Sequence, residues 1–250
     1  MSKPLYEMSP DEIRAAVAEK YNQVATLPTA KFNFPVGREF AESVGYDPAI
    51  LDSLPVSMSD SFTGAGNPQP FVDPKSGETI IDLGCGAGLD LYFYSQKVGG
   101  TGKVYGIDHS SEMIDKARKN MEALKIENVE LICASVDKIP LPDSSVDLLT
   151  ANGIYNLCPD KESVMREAAR LIKHGGRTIF AEITLTRKFE QEIRLEIKDW
   201  FRCIGGAFLH TDFLSLLQKS GFRDPEILWS GRNKRTFHEL AVSNVIRAFR

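Results

Sequence analysis

The chain has 250 residues, 42% hydrophobic and 26% charged, enough for one large domain with a real core. Its net charge of −4 excludes the broad phosphate neutralisation that general nucleic-acid binding needs. No apolar run is long enough to cross a bilayer, and Met1–Pro10 lacks a basic-then-apolar signal pattern, so a cytoplasmic protein with no membrane partner is expected.

The first helix is expected over Pro10–Val24, with Ser9 as cap, Glu12 three residues later and Ile13, Val17, Tyr21 and Val24 on one face. Short helices follow at Arg38–Val44 and Pro48–Leu54, and Ser57–Pro70 reads as loop. A boundary near Phe71 divides an N-terminal helical cap, residues 1–70, from a main domain, residues 71–250. From there strands and helices alternate: strand Thr79–Leu83, helix Asp90–Val98, strand Lys103–Ile107, helix Ser111–Leu124, strands Val129–Cys133 and Val146–Ala151. The helix Lys161–Ile172 is expected to stop at Gly175-Gly176, before strand Arg177–Ile183. Helices over Glu190–Phe201 and Thr211–Ser220 come next, then strands Glu226–Trp229 and Ala241–Ala248. The order predicts an α/β, Rossmann-like, doubly wound and mostly parallel seven-stranded sheet with an antiparallel edge strand. The apolar segment Asp199–His210 reads either as a lid or as core packing, and the basic cluster Arg232, Lys234, Arg235 as a solvated turn. Cys85, Cys133, Cys158 and Cys203 form no C-x-x-C pair, and no disulfide framework is expected.

Chemistry concentrates at Thr79-Ile80-Ile81-Asp82-Leu83-Gly84-Cys85-Gly86-Ala87-Gly88, where a buried strand runs into a bend that favours glycine. The helix after it presents bare N–H groups, a seat for a nucleotide-like ligand. The spacing is G-x-G-x-G, and Leu89 stands where a dinucleotide fold would place its third glycine. Asp82 before the bend suits a ligand with an ammonium group and repels a pyrophosphate. Asp108 ends the second strand about twenty residues on, where an acid meets a ribose diol.

With Ala134-Ser135-Val136-Asp137-Lys138-Ile139-Pro140 after the third strand, Ala151-Asn152 after the fourth and Leu171–Arg177 before the fifth, these residues resemble the class I S-adenosylmethionine-dependent methyltransferases from Phe71 to the C-terminus. The resemblance implies that S-adenosylmethionine is the cofactor. Asp82, Gly84 and Gly86 would face its methionine part, Asp108 its ribose, and Ser135 and Val136 its adenine edge. Cys85, Gly88, Met113 and Asn152 complete the implied cofactor set. His109 reads as adenine packing or as plain surface, and Tyr21 as a closure over the cofactor or as one more apolar contact of its helix. Many relatives carry an acid at the Ser135 position, so Ser135 or the Val136 N–H must serve the adenine here.

Gly64-Ala65-Gly66-Asn67-Pro68, Ala151–Lys161 and Trp200–Ala207 look like the arsenite methyltransferase family, which binds arsenic through cysteine thiolates. Two of its cysteine positions hold Ala65 and Gly153, and only Cys203 remains. Cys158 could substitute if its loop folds back; otherwise both thiols are ordinary half-buried cysteines. Gly153 is expected to leave empty space, with Tyr155, Asn156, Trp200, Phe201 and Phe208 lining the pocket. Tyr155, Cys203 and His210 are the candidate catalytic residues, His210 as a base or polar contact. No metal is expected. The expected reaction is methyl transfer to a small molecule, with a thiol, sulfide or other soft nucleophile as acceptor. Arsenite, an N-, O- or C-acceptor, and a silent cofactor-binding sensor remain as alternatives, and the oligomeric state is open.

Overall fold

The computed structural model describes residues 4–188, 196–236 and 238–250. Helix α1 (Pro10–Thr26) starts on a capping box: the Ser9 side chain takes the Glu12 N–H, and the Glu12 carboxylate takes the Ser9 N–H. Three short helices follow, α2 (Arg38–Ser43), α3 (Pro48–Asp52) and α4 (Val56–Ser59). Phe40, Tyr46, Leu51, Met58 and Phe62 from this part share one apolar cluster with Leu89 and Met121 of the later helices.

The strands are β1 (Thr79–Leu83), β2 (Lys103–Asp108), β3 (Val129–Cys133), β4 (Val146–Asn152), β5 (Ile172–Leu185), β6 (Arg223–Arg232) and β7 (Ala241–Phe249). The remaining helices are α5 (Leu89–Val98), α6 (Ser111–Ala123), α7 (Lys161–Leu171), α8 (Ile197–Phe201) and α9 (His210–Lys219). One sheet runs in the order β3-β2-β1-β4-β5-β7-β6. The first five strands are parallel, and β7 enters antiparallel between β5 and β6, giving the reversed edge that the order of elements predicts. Chain direction across the sheet switches between β1 and β4, whose C-terminal ends flank the crevice where open α/β sheets hold ligands. Helices cover both faces, with Ile81, Leu149, Phe180 and Ile246 in one core and Ile80, Leu148, Ile179 and Val245 in the other. Among the described residues no helix is long and apolar enough to cross a membrane.

Several expectations change. The Gly175-Gly176 pair does not end a helix: α7 stops at Leu171, and the glycines lie in a bulge of β5, where Gly175 N–H bonds Arg250 O and Arg250 N–H bonds Gly176 O. Strand β6 runs longer than Glu226–Trp229 through two irregularities against β7. The Ser57–Pro70 loop begins inside α4. Most of the expected helix Glu190–Phe201 lies outside the described residues, and α8 covers its end. Segment 199–210 packs into the core: Trp200, Cys203 and Ile204 cluster with Ile183, Leu185 and Leu157. Arg235 is no solvated turn residue. It is 1% exposed, beneath α1, where its guanidinium donates to Tyr21 Oη at 2.6 Å and to Phe201 O at 3.0 Å.

Candidate active site

An open cleft lies over the C-terminal ends of β1 and β4. Its floor is the bend after β1. Gly84, Gly86 and Gly88 all take positive φ, and a Cβ added at Gly86 would meet nothing within 4 Å, so this backbone stands bare to the cleft. At Gly84 a Cβ would come within 3.0 Å of the Ile154 side chain, which fixes how closely the wall after β4 approaches the bend.

Two carboxylates meet at the floor. Asp82, paired across the ladder with Thr150, is 3% exposed and accepts from Thr150 Oγ1 at 2.7 Å. Asp90, in the first turn of α5, accepts from Tyr46 Oη at 2.8 Å and Gln69 Nε2 at 3.0 Å. Neither is paired with a cationic side chain among the described residues. Burial holds both carboxyls above their ordinary range, and the nearby charge of Asp90 pushes Asp82 up further. Asn152, the last residue of β4, binds the N-terminal segment to this point, accepting from Ala65 N–H at 2.8 Å and donating to Gly66 O at 3.0 Å.

Asp108 ends β2 at the next corner of the cleft. Its two carboxylate oxygens accept the N–H groups of Gly86 and Ser110, each at 2.9 Å. Burial raises its pKa, and these two bonds partly offset the rise. His109, Met113, Ser135 and Val136 line the same side. The Ser135 hydroxyl donates to Asp137 at 2.6 Å, and Arg14 of α1 reaches the other oxygen of Asp137 at 3.0 Å. Helix α1 covers the opening with Val17, Ala18 and Tyr21.

Of the residues singled out in the sequence, Tyr21, Asp82, Gly84, Cys85, Gly86, Asp108, His109, Met113, Ser135, Val136 and Asn152 therefore share one cleft. Gly88 lies outside its lining; it opens α5 in a left-handed conformation and packs on Met121. The three catalytic candidates also lie outside the lining. Tyr155 is fully buried edge-on to Phe180 and Phe213. The His210 ring Nδ1 sits 3.3 Å from Leu185 O. Cys203 is 0% exposed, with its Sγ 3.8 Å from Gly153 O. Asn156, Trp200, Phe201 and Phe208 are likewise absent from the lining. The space expected beside Gly153 is filled, because a Cβ there would lie 3.1 Å from Ala65 N and 3.4 Å from Ala65 Cβ. Ala65, Gly153 and Cys203 thus do converge, but as packed interior. Cys158 joins Cys85 in the lining, and burial pushes Cys158 up to about 12 and Cys203 up to about 11. Sequence reasoning passed over Asp90 and Arg14. For Asp90, the signal was an acid one turn past the bend.

This strand order, with a glycine bend between two acids at the switch point, defines the class I S-adenosylmethionine-dependent methyltransferase fold. A family described as a methyltransferase domain matches residues 74–223. The chain belongs to that methyltransferase domain family. It is 34% identical over 187 residues to the arsenite methyltransferase of Halobacterium salinarum, covering 75% of this chain and 48% of that protein. To the human arsenite methyltransferase it is 34% identical over 158 residues, 60% of this chain and 42% of that protein. An arsenic(III) S-adenosylmethionine methyltransferase from Chlamydomonas reinhardtii superposes with a TM-score of 0.72 at 30% identity, covering 81% of this chain and 72% of the algal one. The chain spans about half the length of the curated relatives it matches in sequence.

Proposed function

We propose that this protein transfers a methyl group from S-adenosylmethionine to a small-molecule acceptor that arrives as a soft nucleophile, a thiol, sulfide or related species. The observation that carries the reading is the unpaired couple Asp82 and Asp90 beside bare glycine backbone. Two buried carboxylates without a cation are costly unless a ligand brings one. The α-ammonium group of the donor is that cation, and the open face of Gly86 admits its chain. Asp108 keeps lone pairs for the ribose hydroxyls while its N–H partners fix its orientation. Ser135 and the Val136 N–H stand at the adenine edge.

Bound there, the donor supplies a methyl group already activated on a sulfonium. The chain's work is to align the acceptor and exclude water. Tyr21, Val17 and Ala18 cover the cleft from α1, and Asn152 and Gly153 form the wall beside the methionine end. The histidine in the described lining, His109, is on the ribose side, next to Asp108. This supports an acceptor that needs little proton removal, as a thiol with its ordinary pKa near about 8.5 does. Arsenite held by several thiolates suits this chain less well, since Cys203 is enclosed and both nearby thiols are held protonated.

Incubation with S-adenosylmethionine and a panel of thiols, sulfide, selenite, arsenite and amines, read as S-adenosylhomocysteine formed, tests the proposal. Turnover of thiols or sulfide is the expected result. Turnover confined to arsenite and lost in Cys203→Ser would replace it with a metalloid reaction. Donor binding without turnover of any acceptor would point to a sensor.

A further inference from the structure

A second charged pair lies behind the cleft wall. The turn after β4 has one short 3-10 segment, Tyr155–Leu157, and its N-terminal residue offers no side-chain cap. A single turn does not hold itself together. Here both ends are held from outside. Glu182, near the C-terminal end of β5 and 0% exposed, accepts the Tyr155 N–H at 2.8 Å, and the Ile154 N–H also favours its charged form. Lys161, the first residue of α7, donates to Cys158 O at 2.9 Å, with its ammonium over the rings of Trp200 at 4.8 Å and Phe208 at 5.2 Å. The Trp200 indole donates to Leu157 O at 2.9 Å. An anion therefore serves the N–H end of the turn and a cation its C=O end, the arrangement the peptide dipoles favour. The same turn sends Gly153, Ile154, Leu157 and Cys158 into the cleft lining, and Ile154 abuts the glycine bend.

We propose that Glu182 is a positioning residue: with Lys161 it clamps the turn that forms the acceptor-side wall of the cleft, and so sets how firmly that wall closes on the glycine bend. The free oxygen of Glu182, Oε2, is buried without a hydrogen-bond partner, which leaves the carboxyl able to take a proton in place. Burial pushes Glu182 up to about 7, against the pull of the Tyr155 and Ile154 N–H groups, Lys161 of α7 and Arg235 of the β6–β7 connection. The phenol of Tyr155 and the thiols of Cys158 and Cys203 also face this group. The ionised carboxylate accepts the Tyr155 N–H more strongly than the acid does. The wall therefore tightens as the pH rises through neutrality.

Two readouts test the clamp. One is the affinity for S-adenosylhomocysteine by calorimetry across neutral pH, which rests on the proposed cofactor. The other is the rate at which an aromatic disulfide labels Cys158, followed by peptide mapping, which does not. In Glu182→Ala the dissociation constant rises about tenfold, and Cys158 labels about tenfold faster at one pH. Glu182→Gln keeps an oxygen for the Tyr155 N–H; it restores both quantities and removes the step in affinity centred near pH 7. If Glu182→Ala does not fold, Lys161→Met loosens the other end of the turn and carries the same two expectations. Wild-type affinity and labelling in Glu182→Ala or Lys161→Met, or an unchanged step in Glu182→Gln, overturns the clamp. Labelling that responds as stated in a protein that binds no S-adenosylhomocysteine leaves the clamp standing and removes the cofactor reading.

Discussion

Asp82, proposed to receive the ligand's ammonium group, is a residue whose burial works against the fold. Its carboxylate is buried beside Asp90 and bonded to the Thr150 hydroxyl, and in the absence of a ligand cation burial favours the proton. Asp82→Asn keeps an oxygen for Thr150 and removes the charge. The expected outcome is a dissociation constant for S-adenosylhomocysteine about a hundredfold higher by calorimetry, the scale of a lost buried charge pair. Thermal unfolding of the unliganded variant at pH 8 occurs at the wild-type temperature or above it, because the group no longer resists ionisation. A variant whose affinity falls only in step with its stability would take Asp82 out of the ammonium site. Arg235 is the opposite case, a charge that reads as surface and is interior. Nothing within a few residues announces this, since the chain from β6 to β7 must first be laid under α1 before Tyr21 and Phe201 become its partners.

Among elements, legibility followed the range of the forces involved. The bend after β1 needs glycine because its own backbone turns left-handed, and Asp82 and Asp108 sit at strand ends fixed by local hydrophobic runs; all three could be read from short stretches. The wall after β4 could not. Its shape depends on Ala65, brought in from the N-terminal segment by Asn152, and on Glu182, brought in by β5. Gly153 looked like a lost side chain, yet its φ of +79° and the Ala65 backbone behind it make glycine the residue this wall requires. Tyr155 follows it in sequence but turns away into the core beside Phe180. Gly153→Ala is expected to cost about 2 kcal/mol in urea unfolding, from left-handed strain together with the close approach to Ala65. A loss below about 0.5 kcal/mol, the ordinary range for neutral sites, would mean that the turn adjusts freely.

Across the whole molecule, the carboxyl groups with shifted pKa values divide into two sets with separate pH windows. Glu78, Asp147, Asp160 and Glu167 have lowered pKa values, the first two and Glu167 through bonds to Arg177, Lys173 and Arg170 that overcome partial burial, Asp160 through Ser163. Their stabilisation is present above the ordinary carboxylate range and is lost as the pH falls through their folded values, so it acts in acid. Asp82, Asp90, Asp108 and Glu182 are raised by burial. In the unfolded chain they release their protons near the ordinary carboxylate value, but the folded chain holds them longer, so stability falls as the pH rises from there through the folded values. Above the ordinary carboxylate range the second set changes, Glu182 near 7 among it, and the unliganded protein is expected to melt at a lower temperature at pH 8 than at pH 5. In the proposed site the ligand reverses the balance: its ammonium group would favour the ionised form of Asp82 and Asp90, so binding is expected to release protons and to tighten with pH. The rise in melting temperature produced by saturating S-adenosylhomocysteine is therefore larger at pH 8 than at pH 5. Calorimetry in buffers of different ionisation enthalpy shows net proton release on binding above the ordinary carboxylate range. A melting shift that stays constant or shrinks toward pH 8, or proton uptake on binding, would mean that the two floor carboxylates do not receive the ammonium group.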